Sequence, residues 1–204
     1  MKNENVIEEI KIVAIDQWNN KSEKIVKVTI DLQSTDIAKV YEQLKPNNIK
    51  VKTDKNKIAI IGLGYVGLPL AIAFSKFYKV IGFDIDTDRV NELNDSFDSN
   101  ADISFEINEN IKFTDKEKDL FVADIYIITV PTPVTSKNIP DLSILERATK
   151  TVATYLRKGD IVIYESTVYP GVTEDICVPI LEKLSGFKYN ADFYCGYSPE
   201  RISP

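Results

Sequence analysis

The stretch KIAIIGLGYVGLPLAIAF, Lys57 to Phe74, decides the fold. An apolar run, Ile58 to Ile61, leads into Gly62-Leu63-Gly64-Tyr65-Val66-Gly67, and a second apolar run follows. The first run suits a strand covered on both faces, and the second suits a helix. A G-x-G-x-x-G triplet in that position has a specific physical use. Gly62 permits the tight turn out of the strand. Gly64 lets a pyrophosphate approach the backbone, and Gly67 lets the helix pack closely on the strand. The helix start then offers N–H groups and a partial positive charge to phosphates.

Such a site needs an acidic residue about 20 positions on, at the end of the next strand, to hold the adenosine ribose. Asp84 closes Val80-Ile81-Gly82-Phe83 at that spacing. A carboxylate there accepts hydrogen bonds from both ribose hydroxyls and repels a 2′-phosphate, so the expected cofactor is NAD rather than NADP. Asp86, two residues further, is a near alternative for the ribose, but it reads better as the cap of the following helix.

Outward from this stretch, strands and helices alternate. The expected strands are Ile58–Gly62, Val80–Asp84, Ile111–Phe113, Asp124–Val130, Asp160–Glu165 and Phe193–Gly196. The expected helices are Val66–Phe77, Thr87–Leu93, Leu142–Leu156 and Thr173–Leu184. This order predicts an α/β doubly wound parallel sheet over residues 54–204. Residues 1–53 differ in character and predict a small α+β appendage. Its strands are Val6–Ala14 and Lys24–Leu32, joined by a turn at Gln17–Ser22. A helix capped at Ser34 or Thr35 would carry Ile37, Val40, Tyr41 and Leu44 on one face, and the charged Lys52–Lys57 reads as a linker.

Composition bounds the function. The 204 residues carry a net charge of −6, which disfavours a nucleic-acid partner. No apolar run approaches the roughly 20 residues needed to span a bilayer. The N-terminus lacks the apolar core of a signal peptide, so a cytoplasmic protein is expected. There is no histidine, which removes Ser-His-Asp and Cys-His nucleophile systems and any His-ligated metal site, and no metal is expected. The two cysteines, Cys177 and Cys195, lie in apolar stretches and read as buried structural thiols.

Ligands of doubly wound sheets sit at the carboxyl ends of the strands. Three further loops leave those ends here: Thr129-Val130-Pro131-Thr132-Pro133, Glu165-Ser166-Thr167-Val168-Tyr169-Pro170-Gly171 and Gly196-Tyr197-Ser198-Pro199-Glu200-Arg201. Two prolines stiffen the first loop and leave a threonine hydroxyl and carbonyls exposed. All three loops are expected at the sheet edge that carries the glycine triplet.

Together, KIAIIGLGYVGLPLA, GFDID, ITVPTP, YESTVYPG and GYSPER resemble the N-terminal, Rossmann-type domain of the nucleotide-sugar 6-dehydrogenases, over Lys57 to Pro204. The wording of the last two motifs is most similar to the UDP-N-acetylgalactosamine and UDP-N-acetylglucosamine branch. The resemblance implies an NAD-dependent, four-electron oxidation of a sugar C6 alcohol to a carboxylate, in nucleotide-sugar and polysaccharide biosynthesis. It implies that Gly62, Leu63, Gly64, Tyr65, Val66 and Gly67, with Asp84 and Arg89, bind the adenosine and pyrophosphate. Val130, Pro131, Thr132 and Pro133 would line the cofactor and Ser166 would contact it. Thr167 would help hold the catalytic water. Glu200 would be the acid–base carboxylate, and Arg201 would face the phosphates of a UDP-sugar substrate.

The family's catalytic cysteine, in a glycine-rich C-terminal motif, and its UDP-binding second domain are expected to be absent from this chain. Neither Cys177 nor Cys195 stands in for that nucleophile. The chain then supplies the cofactor half of a dehydrogenase, or a catalytically silent NAD-binding module with an N-terminal interaction element. Self-association as a homo-oligomer and a complementing C-terminal chain both stay open. Between Asn94 and Phe113 the chain is shorter than the family usually shows, which implies local change away from the strand-end motifs.

Overall fold

The computed structural model describes residues 12–15, 21–24, 57–99, 103–104, 106–136 and 139–198. The helix expected after Ser34, the linker before Lys57, and Glu200 and Arg201 lie outside these residues. Near the N-terminus, β1 (Ile12–Ile15) and β2 (Lys21–Lys24) pair antiparallel, with Ile15 opposite Lys21. The second strand thus includes residues expected to form the turn. Ladder pairing is a backbone property, and the charged Lys21-Ser22-Glu23-Lys24 carries no apolar alternation that would have marked it.

The main sheet begins at β3 (Lys57–Ile61), which runs into α1 (Gly67–Ser75), β4 (Lys79–Phe83) and α2 (Thr87–Asn94). A short antiparallel pair follows, β5 (Phe97–Asp98) and β6 (Ile103–Ser104), in the region expected to differ locally. Then come β7 (Ile111–Thr114), a 3-10 helix over Glu117–Val122, β8 (Ile125–Ile128), α3 (Ser143–Tyr155) and β9 (Ile161–Tyr164). A π-helical turn, Thr173–Cys177, opens α4 (Val178–Ser185), and β10 (Tyr194–Tyr197) is the last described element. Six of these strands form one parallel sheet in the order β10-β9-β8-β3-β4-β7. That is the doubly wound order, with its reversal between β3 and β8.

The sheet is buried on both faces. In β3, Ala59 and Ile61 enter one core with Tyr126, Ile128, Leu145, Val152 and Leu181, under α3 and α4. Ile58 and Ile60 enter the other with Val80, Leu68, Ala71, Val90 and Leu93, under α1 and α2. This explains the unbroken apolar strands, since a strand with two covered faces has no polar side to show. In α3, the buried positions Leu145, Ala148, Thr149, Val152 and Ala153 follow the 3.6-residue stripe.

The last helix departs from the single run expected over Thr173–Leu184. Pro179 has no N–H to offer the carbonyl four residues back. The turn ahead of it widens instead, and Val178 N–H bonds to Thr173 O five residues back. Gly186, left-handed at φ 74°, closes α4.

Candidate functional site

The glycine loop leaves β3 at the sheet reversal. Gly62 adopts φ 97°, a conformation that disfavours side chains, and its N–H bonds to Phe83 O at 2.8 Å. A Cβ on Gly67 would stand 1.8 Å from Gly62 O and 2.6 Å from Thr129 Oγ1, so only a residue without a side chain fits against them. A Cβ on Gly64 would meet nothing within 4 Å. Gly67 is therefore the packing glycine, while Gly64 faces open space at the start of α1. No side chain caps α1 at Val66, and its first turn carries no acidic residue. A helix start without a side-chain cap and bordered by an exposed glycine fits a phosphate as its cap.

Asp84 stands at the end of β4, half-buried. Its Oδ2 accepts the Leu63 N–H at 2.8 Å, and its Oδ1 accepts the Asp86 N–H at 3.0 Å. Each carboxylate oxygen can accept a second bond, which leaves room for two ribose hydroxyls. Asp86 is the α2 cap expected of it, accepting Asp88 N–H at 3.0 Å and Arg89 N–H at 3.2 Å. Arg89 turns back from α2 to the same loop. Its Nε and Nη2 donate to Leu63 O at 3.1 and 3.0 Å. The loop residue Leu63 is thus held at its N–H by Asp84 and at its carbonyl by Arg89.

On the other side of the reversal, hydroxyl groups tie neighbouring strand ends together. Thr129 is buried, and its Oγ1 donates to Gly62 O at 2.7 Å with a longer approach to Ile61 O of 3.1 Å. Ser166, also buried, donates to Val130 O at 2.7 Å. Thr132 donates to Thr167 O at 2.5 Å. These ties run from β3 to β8 and from β8 to β9. They bring together the glycine loop, the Thr129–Pro133 loop and the Ser166–Thr167 loop at one sheet edge, as the sequence order requires. Thr167 and Pro133 are exposed there, and Tyr65 lies exposed on the glycine loop. Ser198 follows β10 and bonds through its N–H to Tyr164 O at 2.9 Å.

The thiols stand apart from this edge chemistry. Burial pushes the Cys177 and Cys195 thiols up, and burial also raises the neighbouring Tyr164 phenol. Both cysteines are therefore neutral thiols at physiological pH and poor nucleophiles. No cluster of candidate metal ligands occurs among the described residues.

Residues 56–204 match a known domain, described as the NAD binding domain of the UDP-glucose/GDP-mannose dehydrogenase family. The chain belongs to this family. The expected cofactor, NAD, is the one named for the domain, and the Rossmann-type sheet is the expected one. A UDP-N-acetyl-D-glucosamine 6-dehydrogenase of Salmonella typhi is 53% identical over 154 residues, 74% of this chain and 36% of that protein. The same enzyme of Pseudomonas aeruginosa is 51% identical over 151 residues, 72% of this chain and 36% of that protein. Among solved structures, a UDP-D-ManNAc dehydrogenase from Pyrococcus horikoshii superposes with a TM-score of 0.65 at 38% identity, over 72% of this chain and 37% of that one. The chain therefore spans 36% of the length of these curated relatives.

Within this family domain, two residues of the geometry escaped the sequence reading. Thr129 reads from sequence as the end of a strand and the start of a loop with an exposed threonine hydroxyl, whereas the Thr129 and Thr132 hydroxyls are both committed to carbonyls; a hydroxyl at the end of the apolar run Ile125–Ile128 signals a buried group in need of a partner. Asp98, which pairs with Arg89 at 2.7 Å, carried no signal, since it lies outside every motif.

Proposed function

We propose that these residues form the NAD-binding half of a UDP-N-acetylhexosamine 6-dehydrogenase, with UDP-glucose as the alternative substrate. The observation that carries this reading is the open backbone at Gly64, set at the sheet reversal between Asp84 and the Thr129–Pro133 loop. NAD supplies a hydride acceptor when bound. The chain's part is to seat it: the Gly62–Gly67 loop and the start of α1 at the pyrophosphate, Asp84 at the adenosine ribose, and Val130 to Pro133 along the remainder. Arg89 and Ser166 act through the backbone they hold, at Leu63 O and Val130 O, rather than through direct contact. Thr167 is exposed at the same edge, in keeping with a role toward a water. Glu200 as acid–base carboxylate and Arg201 toward the UDP phosphates complete the reading from their motif.

The 53% identity to a UDP-N-acetyl-D-glucosamine 6-dehydrogenase supports the N-acetylhexosamine branch, and the place in polysaccharide biosynthesis rests on the motif resemblance. No described helix is long and apolar enough to cross a membrane, in keeping with a cytoplasmic site of action. Residues 1–53 form an appendage to the 54–204 domain in this reading, and self-association or a complementing C-terminal portion supplies the rest of the substrate site. Calorimetric titration with NAD tests the cofactor half. Saturable binding of NAD with much weaker binding of NADP is expected, and a folded chain that binds neither defeats the reading. Joined to the remaining portion of the Salmonella typhi relative, the chain should form two NADH per UDP-N-acetyl-D-glucosamine consumed.

A further inference from the structure

Two opposite charges share Leu63: Asp84 at its N–H and Arg89 at its carbonyl. A guanidinium beside the ribose position is an odd neighbour for a site that excludes phosphate. A planar cation placed there is what accommodates the 2′-phosphate of NADP. In this chain Arg89 is occupied on every side. Besides its two bonds to Leu63 O, Nη1 pairs with Glu92 at 3.0 Å and Nη2 pairs with Asp98 at 2.7 Å. The Arg89 and Asp98 side chains are each only 10% exposed. Glu92 is held in turn by the Ser99 hydroxyl at 2.9 Å and by the Ser99 N–H. Ser96, left-handed at φ 63°, turns the chain out of α2 into β5, the strand that carries Asp98.

We infer that Asp98, assisted by Glu92, is a cofactor-specificity residue: it neutralises Arg89 and holds it on the glycine loop, withholding from a 2′-phosphate the cation that shares Leu63 with Asp84. This rests on the NAD reading above. Two carboxylates more than neutralise one guanidinium, so the surroundings of the ribose stay negative. Removing the Asp98 charge leaves Arg89 balanced by Glu92 alone and frees one Nη2 N–H of a poorly exposed guanidinium for a new anion. A 2′-phosphate supplies such an anion and NAD does not, so the change falls on NADP.

The test is calorimetric titration of the full chain with NAD and with NADP at one ionic strength, for the wild type, Asp98→Asn, and Asp98→Asn combined with Arg89→Gln. The preference for NAD over NADP should fall about tenfold or more in Asp98→Asn, as a charge-assisted contact to the phosphate becomes available. It should return toward the wild-type value in the double variant. Loosening of the scaffold weakens both dinucleotides alike and leaves that ratio where it was. An unchanged ratio in Asp98→Asn overturns the inference, and so does a lowered ratio that persists without Arg89. Should Asp98→Asn not fold, Glu92→Gln removes the other carboxylate and carries the same expectation. A wild type that is selective for NAD while the ratio stays fixed in the variants sinks the inference alone. A folded wild type that binds neither dinucleotide sinks the cofactor reading and the inference with it.

Discussion

The Asp84 carboxylate accepts the Leu63 N–H at 2.8 Å, across 21 positions of sequence, and so joins the end of β4 to the glycine loop that leaves β3. One side chain thereby sets the loop's position, and in the proposed reading the remaining lone pairs of its carboxylate meet the ribose. Asp84→Ala removes both, whereas Asp84→Asn keeps an acceptor for Leu63 and lacks the charge. NAD affinity should fall about 10- to 100-fold in the alanine variant, the loss of charge-assisted bonds worth roughly 1.5–3 kcal/mol each. The asparagine variant should lose less NAD affinity and show weaker discrimination against NADP. Calorimetric titration of each variant with both dinucleotides checks this, and equal NAD affinity in all three proteins would refute the assignment of Asp84.

Gly64 and Gly67 look alike in the motif and differ in the structure. A methyl group on Gly67 has to displace Gly62 O from 1.8 Å, so Gly67→Ala should destabilise the fold by about 1–3 kcal/mol or prevent folding. Gly64→Ala places its methyl in open space, and the stability change should stay within about 0.5 kcal/mol. In the proposed reading that open space takes the pyrophosphate, so the Gly64→Ala protein should fold normally and lose NAD binding. Thermal unfolding and NAD titration of the two variants separate the roles. A stable Gly64→Ala protein with intact NAD affinity would mean that the loop is only a turn.

The parallel sheet was legible because burial on both faces writes itself into the strands. Ile58 to Ile61 and Ile125 to Ile128 have no polar face, and Gly62, Asp84 and the proline-rich Thr129–Pro133 mark the strand ends. The meeting of the three loops at one sheet edge was legible for the same reason, since strand ends follow from strand positions. The π-helical turn before Pro179 and the pairing of Phe97 with Ser104 were not. Both depend on backbone hydrogen bonds that leave no side-chain period. Ser166 shows another limit. The motif marks it as important, but only the geometry reveals that its hydroxyl is committed to Val130 O.

Thr129 offers a test of positioning at a distance from any ligand contact. Its N–H already bonds to Ile61 O at 2.9 Å, so the hydroxyl matters chiefly to Gly62 O. Thr129→Val keeps the shape and leaves that carbonyl without its donor, a cost of about 1–3 kcal/mol for a buried group. NAD affinity should fall with it, because Gly62 sets the course of the loop. Thr129→Ser restores the hydroxyl and should recover the NAD affinity, although it lacks the methyl group. A serine variant as weak in NAD binding as the valine variant would show that packing, not the hydroxyl, is what counts at this position.

At the opposite end of the sheet, Asp160 lies buried beside Arg157, whose backbone N–H donates to it at 2.8 Å. The Arg157 guanidinium is 3.6 Å away, and Asp124 faces the same arginine at 3.1 Å. Burial outweighs these favourable contacts and pushes the Asp160 carboxyl up to about 6, from 3.8. A carboxyl whose pKa is higher in the folded than in the unfolded chain stabilises the fold below the unfolded value, and that contribution disappears as pH rises through the folded one. Stability should therefore lose about 2 kcal/mol from this group between pH 4 and pH 7, at roughly 1.4 kcal/mol per pKa unit, most of it before pH 6. Asp119, Asp141 and Asp192 are held below the usual carboxylate range by their hydrogen-bond partners and act in the opposite sense, below about pH 4. They are common to wild type and variant, so their effect cancels in a comparison. Asp160→Asn keeps an acceptor for the Arg157 N–H and cannot ionise. Urea unfolding of both proteins between pH 4 and pH 7.5 should show the variant gaining stability relative to wild type as pH rises through 6. Parallel stability curves across that window would show that Asp160 is ionised in the fold at no cost.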